Sequence, residues 1–280
     1  MDSGLVAAVL AKLGVDRGSV TTGAPGLELV YGAWCQGVPF DNVVKRIHLA
    51  SGDTGPIPNG QPDAFFASWL EHGTGGTCWP STLALHALLV ALGFDVRIGS
   101  AAMRDDLAPG VHSHGTLLVT THDGGEGGEG GEGGDRLWWV DSSMLTGAPV
   151  PLRPGEPSKL DHPLRPVRVE PVDGGLWRVF WVSSGTTGEL PCRLLDDNVT
   201  EEHCRARYEW SREFSPFNQT LYATRNTPEA VHTWAMGSLV TLDRDGAHIT
   251  EVAAPDRADT LQTVFGFSAD VLARVPPDNS

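Results

Sequence analysis

Apolar residues spaced three and four apart fill the first third of the chain. The stretches MDSGLVAAVLAKLGV, GLELVYGAWCQGV and PDAFFASWLEHG each set their large side chains on one face at that spacing, which predicts amphipathic helices. In TGGTCWPSTLALHALLVALGF, residues 74–94, the apolar positions run nearly all round, with Leu83, Leu85, Leu88, Leu89 and Leu92, so this helix is expected to be buried. Pro80 lacks the N–H that a first-turn residue leaves unpaired, and Gly93 suits the left-handed closing position, so the helix should run from about 79 to 92.

From about 94 to 190 the period shortens. DVRIGSAAM, SHGTLLVTT, RLWWVDSS and LWRVFWVSS are short runs rich in β-branched and aromatic residues, and predict strands of a sheet or barrel. VPLRPGEPSKLDHPLRP is read as an ordered loop, because its prolines remove ladder donors. After about 200, HCRARYEWSREF predicts a helix, SLVTLDRDGAHITEV a hairpin around Asp-Gly, and ADTLQTVFGFSADVLARV a closing helix. The expected organisation is α+β in three parts. Residues 1–93 form a helical domain, 94–195 a β-barrel domain, and 196–280 an α/β domain.

Composition narrows the classes. With 280 residues and 40% hydrophobic content the chain can build two or three packed layers, and no stretch reaches the ~20 apolar residues that span a bilayer. The N-terminus lacks the pattern of an export signal, so a cytoplasmic protein is expected, with Cys35, Cys78, Cys192 and Cys204 unpaired. A formal net charge of -15 argues against nucleic acid as a partner. Part of the acidity lies in GGEGGEGGEGG, residues 124–134, a triplet repeat too polar to bury anything and read as a flexible insertion.

The candidate chemistry starts at Cys78. It falls at the start of the buried helix, where about half a positive charge favours a thiolate over a thiol, and free N–H groups beside Gly75 and Gly76 could bind a developing oxyanion. A thiolate nucleophile needs a base held by a third group. His112 and His114 share a strand face by the period of two, and either is a candidate; Asp141 closes an apolar strand, where a carboxylate is costly without a partner. No third ligand at suitable spacing accompanies the two histidines, so no metal site is expected.

Five segments carry a family resemblance: VPFDNV (38–43), TGGTC (74–78), SHGTLLV (113–119), WWVDSSM (138–144) and SPFNQTLYATRNTPEAVHTWAMGSLVTLDRDG (215–246). In this order they resemble the arylamine N-acetyltransferase family over nearly the whole chain. The resemblance implies a helical bundle, a β-barrel and an α/β lid around a cysteine-protease-like core. It also implies a triad of Cys78, His114 and Asp141, with Phe40, Met144 and Phe217 in the substrate pocket. His114 stands 36 residues beyond Cys78, close to the family's separation, and Asp141 returns to it once the insertion is set aside. The implied activity is acyl transfer through a cysteinyl acyl-enzyme, with no bound cofactor. The implied donor is a coenzyme A or carrier-protein thioester, and the acceptor a small molecule.

Two positions depart from the family: Thr74 stands for its arginine and Pro80 for its glutamate. A rival reading is a Dieckmann-type cyclase, which releases a tetramic acid or pyridone from a carrier-protein thioester in antibiotic biosynthesis. There the acid would precede the histidine, at Asp105 or Asp106. A non-catalytic scaffold with the same fold, and a hydrolase that uses water as acceptor, are the remaining classes.

Overall fold

The computed structural model describes residues 1–103, 110–122, 134–182 and 188–278. The insertion at 124–134 falls, except for Gly134, outside the described residues, as do Asp105 and Asp106. The first segment folds as α1 (Ser3–Leu13), α2 (Ala24–Gly37), the two-residue β1 (Phe40–Asp41), α3 (Val43–Ala50), α4 (Pro62–His72) and α5 (Cys78–Ala91). The last of these is the helix expected at 79–92, shifted by one residue, and Gly93 follows it at φ 94°. Thr77 is its N-cap, so Cys78 is its first helical residue. Leu83, Leu85, Leu88 and Leu89 are all buried, which fixes α5 in a core built with Trp34, Phe65, Phe66 and Trp69 of α2 and α4.

Eight antiparallel strands follow: β2 (Asp95–Met103), β3 (His114–His122), β4 (Asp135–Val140), β5 (Val150–Leu152), β6 (Ser158–Leu160), β7 (Val167–Val172), β8 (Leu176–Val182) and β9 (Glu189–Asp196). Their order is β5-β4-β3-β2-β9-β8-β7-β6. The two ends of this order approach each other where the Ser158 hydroxyl donates to the Pro151 carbonyl, so the sheet is a nearly closed barrel. The proline-rich stretch expected as a loop therefore supplies both edge strands. An edge strand has one partner only, so Pro151 in β5 can turn its missing N–H side away from the ladder. Leu118 and Trp139 fill the barrel, while Leu117, Val119 and Val140 pack on the helical core, so β3 and β4 are buried on both faces.

The chain then forms α6 (Glu201–Phe214), β10 (Tyr222–Asn226), β11 (Val231–Ala235), β12 (Ser238–Asp243), β13 (Gly246–Glu251), α7 (Arg257–Phe265) and α8 (Ala269–Leu272). Cys204 and Tyr208 of α6 are buried in the same core as α2, α4 and α5. The second sheet has the order β1-β10-β11-β12-β13, so a strand from the first segment begins the sheet of the last. The hairpin is present, but Asp243 pairs with Gly246, which places Arg244 and Asp245 in the loop instead of Asp-Gly. The expected closing helix is two helices: Gly266 at φ 79° ends α7, and the Ser268 hydroxyl caps α8 by accepting from the Val271 amide. Asn42 ties the sheet to the helices, with Nδ2 donating to the carbonyls of Phe217 and Thr220 and Oδ1 accepting from the Tyr222 amide.

The docking of α5 on β3 is set by one small residue. A Cβ at Gly115 would stand 2.8 Å from the Trp79 ring, so only glycine allows the helix tip to lie against the strand start. The variant Gly115→Ala is expected to lose about 1–3 kcal/mol of stability through overpacking. A urea midpoint unchanged from the parent would show that Trp79 yields freely and that the contact does not fix the helix.

Candidate active site

Three elements deliver three side chains to one place. Cys78 is held at the tip of α5, His114 opens β3, and Asp141 follows β4. β3 and β4 pair with Leu117 opposite Val140; one further step sets Thr116 opposite Asp141, which makes His114 the diagonal neighbour of Asp141 on the same face. The His114 Nε2–H donates to Asp141 Oδ2 at 2.7 Å, and the Cys78 sulfur is near enough to the ring to help raise it. With Nε2 committed to the carboxylate, Nδ1 is left for the sulfur. Cys78 itself is half-buried, with Sγ 3.8 Å from the Ser113 carbonyl.

Asp141 is fully buried, and both of its carboxylate oxygens are paired. Oδ1 accepts from the Ser143 amide at 3.0 Å, the Ser143 hydroxyl at 2.9 Å and the Met144 amide at 2.8 Å. Its backbone carbonyl accepts from the Tyr31 hydroxyl of α2 at 2.8 Å. Thr82, one turn beyond Cys78, donates to the Gly115 carbonyl at 2.9 Å and meets the Ser142 hydroxyl at 3.2 Å. The helix of Cys78 thus touches both the strand of His114 and the loop that follows Asp141.

Electrostatics follow from this burial. Desolvation opposes a charge on His114, but Asp141, the hydrogen bond to it and the Cys78 sulfur outweigh that penalty and push the ring up to about 10. Desolvation likewise opposes a charge on Asp141, and His114 with the Met144 and Ser143 amides overcomes it, holding the carboxyl below its ordinary value. The ring is therefore held charged beside the Cys78 sulfur.

A cavity of about 580 Å³ is lined by Cys78 and His114. Phe40, Met144 and Phe217, the three pocket residues expected from the sequence, all line it. Phe40, Phe217 and Tyr222 form an aromatic cluster, with ring centroids 5.1–5.9 Å apart. Trp181 of the barrel and Trp210 and Phe214 of α6 add to the lining, and the last two rings stack at 4.5 Å. Sequence reasoning missed these three, Tyr222 and Arg165, because no local pattern marks residues that meet only through the barrel and the last segment. It also missed Lys45, which is buried and donates to the carbonyl and hydroxyl of Ser211; desolvation lowers it to about 8 against the pull of Cys78.

His112 does not join the triad. β3 starts at His114, so the shared strand face expected for the two histidines does not extend to His112. Its Nδ1 meets Ser100 Oγ at 2.7 Å, and its ring packs 5.2 Å from that of His203. All four cysteines are free, and Cys35, Cys192 and Cys204 are buried. Among the described residues, no cluster of three or more His, Cys, Asp and Glu side chains could hold a metal ion. No helix among them is long and apolar enough to cross a membrane.

No family model matches the sequence, and no curated protein matches it. Solved structures do match. The chain is similar to the arylamine N-acetyltransferase of Mycobacterium tuberculosis, with a TM-score of 0.75, 20% identity, and coverage of 96% of this chain and 98% of that one. It is similar to the Mycobacterium marinum enzyme solved with CoA, with a TM-score of 0.77, 17% identity, and coverage of 97% and 95%. It is also similar to an enzyme from Bacillus cereus described by a unique Cys-His-Glu catalytic triad, with a TM-score of 0.74, 16% identity, and coverage of 96% and 100%. The fold of this chain is that of the arylamine N-acetyltransferases.

The pairing of His114 with Asp141 carries a pH dependence. For His114, raised from an ordinary 6.5 to about 10, the contribution to stability is complete below about 6.5 and is lost as pH rises towards 10. For Asp141, lowered from 3.8, it is present above about 3.8 and is lost on acidification below that value. The stability gap between the parent and His114→Gln, read from urea midpoints, should be widest between those two ordinary values and narrow steadily on the alkaline side. A gap that stays constant up to pH 10 would contradict a ring held charged.

Proposed function

We propose that this chain is a diverged member of the arylamine N-acetyltransferase family that moves acyl groups from a thioester through Cys78. The observation that carries the reading is the geometry: a sulfur at a helix tip facing the same cavity as an imidazole whose Nε2 is fixed from behind by a buried carboxylate.

The steps follow from the atoms present. The proton rests on His114 at the start, and the Cys78 sulfur beside the charged ring attacks the thioester carbonyl carbon. The first-turn amides of Cys78 and Trp79, which have no acceptor within the helix, are available to the oxyanion, and each well-placed donor contributes about 3 kcal/mol. The C–S bond of the donor breaks, and its thiol leaves with the proton from His114. An amine then attacks the acyl-cysteine, its proton passes to His114, and Cys78 is released. Asp141 holds the ring in the tautomer and orientation that both halves require. In this role Cys78 is the nucleophile, His114 the acid and base, and Asp141 a positioning residue.

Coenzyme A is the donor favoured by the likeness to the M. marinum structure solved with CoA. A carrier-protein thioester offers the same bond. The aromatic cluster of Phe40, Phe217 and Tyr222 suits a flat aromatic acceptor, which Met144 would flank. One observation favours ring closure within a tethered chain as a second reading: about 580 Å³ holds far more than an acetyl group and an amine nitrogen. Both readings share the acyl-enzyme on Cys78.

The test is intact-protein mass and peptide mapping after mixing with short acyl-CoA thioesters. An acyl adduct on Cys78, absent in Cys78→Ala and formed about 10²–10⁴-fold more slowly in Asp141→Asn, is the expected result. Acylation at Cys35, Cys192 or Cys204 instead, or no adduct with any thioester, would overturn the proposal.

A further inference from the structure

Among the described residues, Arg165 is a buried cation without a carboxylate partner. It precedes β7, is 3% exposed, and lines the cavity shared with Cys78. Its Nη1 donates to the Met144 carbonyl, its Nε has no partner, and among the described residues no carboxylate pairs with it. The neighbours able to carry negative charge toward it are Tyr222, Cys35 and Tyr31, none of them a carboxylate. Burial pushes Cys35 up to about 12 and Tyr31 well above its ordinary value, so neither supplies an anion.

A guanidinium left this way is costly, since desolvated charges are normally paired and hydrogen-bonded. The rest of the lining around it is largely aromatic or aliphatic: Phe40, Met144, Trp181, Phe217 and Tyr222. One planar fork of N–H donors in an apolar cavity matches the two oxygens of a carboxylate.

We propose that Arg165 is a specificity-determining recognition site for a carboxylate on the reactant that occupies the cavity, so that this chain prefers an acidic substrate to its neutral counterpart. The carboxylate has two possible sources in an acyl-transfer reaction, the far end of the acyl chain or the ring of the acceptor. The oxyanion site itself does not depend on that reaction. Only the naming of the reactant rests on the function proposed above.

The experiment uses full-length Cys78→Ala, which turns nothing over, and follows tryptophan fluorescence, since Trp181 and Trp210 line the cavity. Two matched pairs are titrated: 4-aminobenzoate against 4-aminobenzamide, and succinyl-pantetheine against butyryl-pantetheine. A charge-assisted hydrogen bond predicts that at least one acid binds roughly tenfold or more tightly than its neutral twin, and the pair that discriminates names the source. Arg165→Gln in the same background should reduce the preference to within about threefold, and Arg165→Lys should retain part of it. Equal binding of acid and neutral twin in both pairs would overturn the proposal, as would a preference that survives in Arg165→Gln. Should Arg165→Gln fail to fold by circular dichroism, Arg165→Lys decides: an undiminished preference there counts against a bidentate fork, and a reduced one supports it. Because no step requires Cys78, the result is independent of the acyl-adduct measurement, and either proposal can fail alone.

Discussion

The structure depends on burying the carboxylate of Asp141 without leaving any of its oxygens unpaired. A carboxylate with no exposure to solvent is tolerated only when a cation and several donors replace its water. His114 supplies the cation, the Ser143 and Met144 amides and the Ser143 hydroxyl supply the donors, and Tyr31 reaches in from α2 to hold the backbone carbonyl. Two of these partners, His114 in β3 and Tyr31 in α2, come from distant parts of the chain. Satisfying one charge therefore fixes β3 against β4 and both against the helical bundle. The same requirement orients the imidazole toward the tip of α5.

The loop before Cys78 is seated by contact and by a second buried acid. A Cβ at Gly75 would lie 1.9 Å from the Pro39 carbonyl oxygen, so the loop runs backbone against backbone beside β1. The Gly75 amide donates to Asp41 Oδ2 at 2.6 Å and the Val43 amide to Oδ1 at 2.9 Å. Burial pushes Asp41 up to about 7, against the pull of those two amides, because no cation faces it. Thr74, where the similar family has arginine, is fully buried and meets the Ser68 hydroxyl at 2.7 Å. The departure thus replaces a charged side chain by a short neutral bridge. Pro80 falls in the first turn of α5, where a missing N–H costs the helix nothing.

Much of this was legible in the sequence because it is local or periodic. The apolar period of α5, with Pro80 and Gly93 near its ends, placed Cys78 at a helix tip to within one residue. The family spacing chose His114 and Asp141, and the strand register shows why these two meet while His112, outside the strand, turns to Ser100. The edge strands β5 and β6 were not legible, since their prolines read as loop and only closure of the barrel recruits them. Nor was the break at Gly266, where VFGF continues an apolar period across a residue that the backbone uses to turn. α6 looks like an independent C-terminal helix, yet Cys204 and Tyr208 belong to the first core. Periodicity shows which face is apolar and leaves open what it packs on. Arg165 was invisible for the same reason, since nothing nearby in sequence shows that its fork ends in a cavity.

The distribution of charge separates two properties that a single net value merges. A chain at -15 repels anions at long range, but beyond a screening length of about 8 Å surface carboxylates contribute little inside a recess. Within the recess the His114 charge is matched by Asp141, while among the described residues Arg165 has no acid beside it and lies in low-dielectric surroundings where its charge weighs more than at the surface. Net charge governs how often an anionic reactant arrives, and the buried groups govern how firmly it is held once its water is gone. An acidic exterior is therefore consistent with a cavity suited to anions, because rate of encounter and strength of recognition are set by different residues.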